Sequence, residues 1–277
     1  MRPTGAKRLL STCAALIALA IGATAVSSAQ GQRGAQGRGG AAAQPPQRIS
    51  VQVVTVKPEM IGTYQDLIKN ELIPALKKAG VTYRWTWANG PMGQGFTFVG
   101  VQPVTSYAQY DQGNPMQKAI GADGVANYNA KLRPTIVSTH TYIDTLRADL
   151  SIQSNSTTPP SLAQVQTMQI APGKGTDFTN IMTADYLPNY KKAGVKDFWT
   201  YAVNFGGPAG QIVTVRFLSK YAELDGPGLL QQAGLSPEAA APINARRAAM
   251  ATVIDNNVVR FVPELSFGSP NARPISH

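Results

Sequence analysis

LIPALKKAGVTYRWTW, residues 72 to 87, returns 114 residues later as YLPNYKKAGVKDFWTY, residues 186 to 201. Eight of the sixteen positions are identical, among them Pro74/Pro188, Gly80/Gly194, Trp85/Trp199 and Thr86/Thr200. The same offset aligns Val51-Gln52 with Val165-Gln166, Tyr107-Ala108 with Tyr221-Ala222, and Asp111 with Asp225. A period of this length is too long for a solenoid unit and right for a small module of roughly 100 residues. The chain is therefore read as an internal duplication.

Working outward, each copy spells the same order of elements. In the first, ISVQVVTV (49 to 56) alternates as a strand does, and apolar residues recur at helical spacing from Pro58 to Ala79, with Gly80 as the stop. Pro74 inside that pattern predicts a kink or a new short helix, repeated by Pro188. VTYRWTWA and FTFVGVQ, separated by a glycine-rich turn, read as a hairpin. A short polar helix near 105 to 111, a helix over 123 to 139 and a strand over 140 to 150 complete the copy. The second copy adds VQTMQI, a helix from Thr176 to Ala193, a second hairpin, a helix from Pro237 to Asp255 and a strand in VVRFVPELSF. The order β-α-β-β-α-β is that of a ferredoxin-like unit, so the fold class is α+β, two tandem units. Each such unit leaves one sheet face uncovered, and two units can cover each other.

Around the repeats the composition changes. Residues 1 to 29 have a basic start, an apolar run from Leu9 to Val26 and the small-residue exit Ser27-Ser28-Ala29, which is a signal peptide pattern. A membrane anchor is the other reading, but Ser, Thr and Gly dilute the run. We expect cleavage, a secreted and specifically periplasmic protein, and no stable membrane insertion afterwards. The single cysteine, Cys13, leaves with that segment, so disulfides, thiolate metal sites and a cysteine nucleophile are excluded from the mature chain. Residues 30 to 48 lack apolar periodicity and read as a disordered linker; 151 to 162, rich in Ser, Thr and Pro, separates repeat 1 (49 to 150) from repeat 2 (163 to 267), and 268 to 277 is a tail. The net charge of +10 is concentrated outside the repeats: from residue 49 onward 19 basic side chains face 15 acidic ones. Nucleic acid is thus not an expected partner.

The Lys-Ala-Gly-Val turn (78 to 81 and 192 to 195) leads into a tryptophan-bearing strand, and the next strand runs into Thr105-Ser106-Tyr107-Ala108 or Ser219-Lys220-Tyr221-Ala222. This pattern resembles NIPSNAP-like repeats, and the whole arrangement is similar to the dimeric α/β barrel superfamily. Antibiotic-biosynthesis-type monooxygenases, chlorite dismutases and dye-decolourising peroxidases share that scaffold. The resemblance implies two sheets closed into one pseudo-dimeric barrel with the helices outside. It also implies activities from cofactor-independent or haem-assisted oxygenation to none.

Candidate site residues are few. His140 and the terminal His277 are the only histidines, too few for a protein-ligated zinc or two-histidine iron site, so no metal is expected. His140 is the one residue that could serve as an axial haem ligand, the chemistry that the barrel resemblance invites. Tyr83, Trp85 and Trp87 alternate and share one sheet face, as do Trp199 and Tyr201 in copy two. These aromatics are expected to wall an apolar pocket between sheet and helices, with ordinary core packing as the plain alternative. Arg84, on the opposite face, is matched by Phe198, and Tyr83 by Asp197, so the copies are expected to differ; copy one is expected to carry the working pocket, with Arg84 and His140 among its ligand contacts. The expected role is binding of a small apolar or aromatic molecule. The alternatives are an oxygenase on the same barrel, or a structural or interaction protein with a filled interior; homo-oligomerisation is left open.

Overall fold

The computed structural model describes residues 47 to 270 apart from 112, 155 and 157. The expected signal peptide, nearly all of the expected 30 to 48 linker and most of the expected tail lie outside the described residues. The first half contains β1 (Arg48–Val56), helices α1 (Ile61–Leu67) and α2 (Ile73–Lys78), β2 (Trp85–Asn89), β3 (Thr97–Val104), α3 (Pro115–Leu132) and β4 (Ile136–Leu146). The second contains β5 (Leu162–Ile170), α4 (Gly175–Ile181), α5 (Leu187–Lys192), β6 (Phe198–Phe205), β7 (Gln211–Leu218), α6 (Leu229–Gln232), α7 (Pro237–Met250) and β8 (Ala251–Phe261).

All eight strands close into one antiparallel barrel in the order β1-β3-β2-β8-β5-β7-β6-β4. Within each half the order is that of a ferredoxin-like sheet. The seams are β2 on β8, where Trp87 pairs with Phe261, and β4 on β6, where Leu146 pairs with Tyr201. Closure removes both sheet edges of each half, which would otherwise be open to pairing with other chains. The expected pseudo-dimeric barrel is therefore the fold.

Three apolar clusters follow from the strand alternation. Val54, Val56 and Phe98 face outward beneath Tyr64, Leu67 and Leu76, and Met168, Ile170 and Ile212 do the same beneath Phe178 and Ile181 in the second half. The opposite faces, with Trp85, Trp87, Trp199, Tyr201, Ala163 and Val259, meet inside the barrel.

Both prolines are absorbed by an unexpected device. A π-helical turn, Ile68–Leu72 and again Met182–Tyr186, immediately precedes the short helix carrying Pro74 or Pro188 near its start. The wider turn accommodates a ring that lacks an N–H and would collide with the preceding carbonyl. The backbone stays helical through Leu72 and Ile73, and the new short helix expected at each proline begins at Ile73 and Leu187. Gly80 and Gly194 then end these helices at φ of 80° and 81°, where a side chain would be strained.

Several boundaries differ from expectation; α3 ends at Leu132 and β4 runs over Ile136–Leu146, four residues ahead of the anticipated strand. A helical segment capped by Asn114, whose side chain accepts the Gln117 backbone N–H at 3.0 Å, opens at Pro115 ahead of the anticipated helix; Gly121, at φ 72° and ψ 176°, kinks α3, and the helix expected from 123 follows that kink. α7 stops at Met250, so Thr252, Val253 and Ile254 belong to β8, where Val253 pairs with Met168. Their β-branched side chains suit the pleated surface, and long-range pairing decides the outcome.

The halves are also clasped together. The Thr86 hydroxyl donates to the Leu265 carbonyl at 2.6 Å, and the Ser266 hydroxyl accepts the Thr86 backbone N–H at 2.9 Å. Thr200 repeats this with Leu150 at 2.7 Å and Ser151 at 2.9 Å. Each half thus grips the segment leaving the other half's last strand. No helix among the described residues is long and apolar enough to cross a membrane.

Candidate functional site

A cavity of about 500 Å³ occupies the barrel interior. Because β1, β2, β5 and β6 run one way and the other four run the opposite way, the same end of the lumen collects Asn89, Thr97, Thr167, Gln211, Asp255 and Asn257. Towards the other end the inward positions become Trp85, Trp87, Trp199, Phe217 and Phe261. The lumen therefore has a polar mouth and an aromatic floor, which suits capture of a molecule with an apolar body.

The floor is a connected set of rings. Trp85 and Trp199 stack with centroids 6.3 Å apart and planes 14° from parallel. Trp87 stacks on Phe217 at 6.2 Å, and Phe261 meets both Trp85 and Trp87 edge-on. The Trp85 indole N–H donates to the Gly268 carbonyl at 3.0 Å, whereas that of Trp199 donates to the Asp197 carboxylate at 3.3 Å. Each indole is thereby oriented with its ring in the lumen.

Midway along the lumen stands Asp144. It is only 4% exposed, and its Oδ1 has no hydrogen-bond partner. Loss of water around the carboxyl pushes its pKa up to about 7. The neighbouring Tyr201 hydroxyl is pushed well above its ordinary range, first by burial and then by the charges of Tyr83 and Asp144. Ile49 pairs with Asp144 just as Ala163 pairs with Val259, so the equivalent position in the second half is a valine. The barrel itself evidently does not require a carboxyl there.

Of the residues singled out in the sequence, Tyr83, Trp85, Trp87, Trp199 and Tyr201 come together in this one lumen. The expected location is corrected: they face the barrel interior, away from the helices, and the two copies share a single chamber. A copy-one pocket is therefore not what the geometry forms. Arg84 does not line the chamber. It points outward and is buried under α1 and α3 among Tyr64 and Tyr128, with its Nη1 donating to Gln102 Oε1 at 3.4 Å and its Nε without a partner. Desolvation lowers its pKa. Gly100 leaves room for the guanidinium, which a methyl group would strike. In the second half, where Phe198 and Thr214 replace Arg84 and Gly100, the corresponding space is an open cavity of about 590 Å³ beside Arg216 and Arg247.

His140 also lies outside the chamber. It is exposed on β4, its Nε2 bonded to the Gly206 carbonyl and its ring 4.4 Å from that of Tyr142. No histidine lines the lumen among the described residues, so the donor set does not fit haem held by His140. Nor do the described residues form a cluster of three or more His, Cys, Asp or Glu able to hold a metal ion. Asp144 was missed because nothing in its local pattern, Tyr142 to Leu146 on an ordinary strand, marks it; only barrel closure makes it a buried acid.

The sequence matches no protein-family model and no curated protein. Solved structures share its fold. An anthrone oxidase-like protein matches with a TM-score of 0.53 and 9% identity over 79% of this chain and 92% of that one. A protein from Fusobacterium nucleatum subsp. nucleatum ATCC 25586, named for an unproven monooxygenase activity, matches with a TM-score of 0.50 and 10% identity over 79% and 93%. A mutant chlorite dismutase from Candidatus Nitrospira defluvii gives 0.49 and 6% over 79% and 92%. At such identities the likeness to the first two is one of fold alone.

Proposed function

We propose that this is an exported binding protein whose barrel lumen holds a small, largely apolar aromatic molecule. The observation that carries the reading is the 500 Å³ chamber itself, walled by Trp85, Trp87, Trp199 and Tyr201 and opening through polar groups. A structural barrel would fill that volume, because voids forfeit dispersion contacts. Export rests on the leader-like residues 1 to 29 and on a chain without cysteine beyond Cys13. Within the fold we place the repeats beside NIPSNAP-like proteins, on the Lys-Ala-Gly-Val turn and its copy. The test is titration with the neutral fluorophore N-phenyl-1-naphthylamine. Binding with enhanced emission is expected, and Val51→Trp or Val165→Trp, which fill the lumen, should abolish it while leaving the fold intact by circular dichroism. Emission unchanged by lumen-filling variants would place the probe elsewhere and overturn the reading. The second reading, a cofactor-independent monooxygenase, takes its motive from the names of the fold's neighbours; oxygen consumption with a bound phenolic or anthrone-type compound would favour it.

A further inference from the structure

The charge inventory of the chamber narrows its ligand. Its lining includes two carboxyl groups, Asp144 and Asp255, and no lysine, arginine or histidine among the described residues, although the chain as a whole is basic. Asp255 stands at the mouth, where it accepts the Asn257 side-chain N–H at 2.6 Å. Asp144 is the one placed in mid-lumen without a compensating partner on Oδ1. The groups that interact with it are Tyr142 on its own strand and Tyr201 on β6; beyond them in the same lumen lie Tyr83, next to Tyr201, and Asp255 on β8, next to Tyr142, and its strand neighbours Ile49 and Val203 are apolar. None of these can neutralise a carboxylate.

A buried acid of this kind costs stability, and the equivalent Val259 shows that the fold tolerates an apolar side chain in its place. A neutral hydrocarbon would leave Asp144 uncompensated, and an anion would be repelled by both acids. A cation gains from the carboxylate and from the negative faces of the surrounding rings together. Resting on the chamber as the ligand site, we infer that the lumen takes an organic cation. It is a primary or secondary ammonium on an aromatic or bulky apolar frame, its N–H donated to Asp144 and its body against Trp85 and Trp199. Binding draws Asp144 into its ionised form, so ligand uptake at neutral pH releases a proton from those molecules in which Asp144 still holds one.

The experiment is calorimetric titration of the full chain with three probes on one frame: 1-naphthylmethylammonium, 1-naphthylmethanol and 1-naphthoate. At pH 8 the ammonium should bind about tenfold or more tightly than the alcohol, and the naphthoate most weakly. Between pH 8 and pH 5.5 the ammonium's affinity should fall by about tenfold or more as Asp144 takes up its proton, while the alcohol's stays level. In Asp144→Asn the ammonium's advantage should disappear and the alcohol's affinity persist. In Asp255→Asn most of the advantage should remain. Equal affinities for ammonium and alcohol, or a preference that survives Asp144→Asn, would overturn the inference while leaving the chamber intact as a site. Failure of all three probes and of N-phenyl-1-naphthylamine to bind would remove the chamber itself, and the inference with it.

Discussion

Trp85 and Trp199, the same position in the two repeats, stack on one another at 6.3 Å inside the barrel. Two residues that the sequence separates by 114 positions thus form one wall. Substitution of either by Ala should therefore weaken N-phenyl-1-naphthylamine binding by a similar amount, about 1 to 3 kcal/mol. Fluorescence titration of both variants checks this, and a loss confined to Trp85→Ala would restore the expectation of a copy-one pocket.

Asp144 makes stability depend on pH. Its folded pKa of about 7 lies above the ordinary 3.8, so the folded state holds the proton more tightly. Its favourable contribution is complete below about pH 4 and is lost as pH rises to about 7. Wild type should lose about 2 to 3 kcal/mol between pH 5 and pH 8 from this group alone. Urea unfolding should show that Asp144→Asn lacks this loss. An unchanged slope in the variant would mean that the carboxyl is solvated in the folded state.

The space beneath α1 and α3 is shared between Arg84 and Gly100. Gly100→Ala should destabilise by about 1 to 3 kcal/mol through overpacking. Because copy two carries Phe198 and Thr214 at these positions, adding Arg84→Phe should relieve much of that loss. A double-mutant cycle measures the coupling, and strict additivity would show that the guanidinium moves aside.

Thr86 and Thr200 are buried, and each donates to a carbonyl leaving the other half. Replacing either hydroxyl by a methyl, as Val, should cost about 1 to 3 kcal/mol, since a buried acceptor loses its partner. The two losses should be alike, and thermal melting compares them directly.

For the proposed leader, intact-mass measurement of the protein from each cell fraction should find it exported, with a first residue at or near Gln30, after Ser27-Ser28-Ala29. Retention of residues 1 to 29 would make the segment an anchor.

The duplication, the β-α-β-β-α-β order and the pairing of two half-covered sheets were legible in the sequence, because period-2 and helical spacing are local and the repeat states each element twice. So was the fact that Tyr83, Trp85 and Trp87 share a face. Which face it was, barrel lumen or helix layer, is not local: apolar side chains occur on both faces, Val54 and Phe98 outward as well as Val51 and Val99 inward, and only closure through Trp87 against Phe261 and Leu146 against Tyr201 assigns them. The helix end at Met250 was misplaced for a related reason, since cross-strand pairing outweighs propensity. Arg84 and Asp144 reversed their apparent roles. The arginine proposed for the pocket is sealed beneath helices, and an unremarked aspartate on β4 stands in the chamber. A side chain's chemistry is written in the sequence, but its solvation, and hence its charge and partners, is set by what the folded chain packs around it.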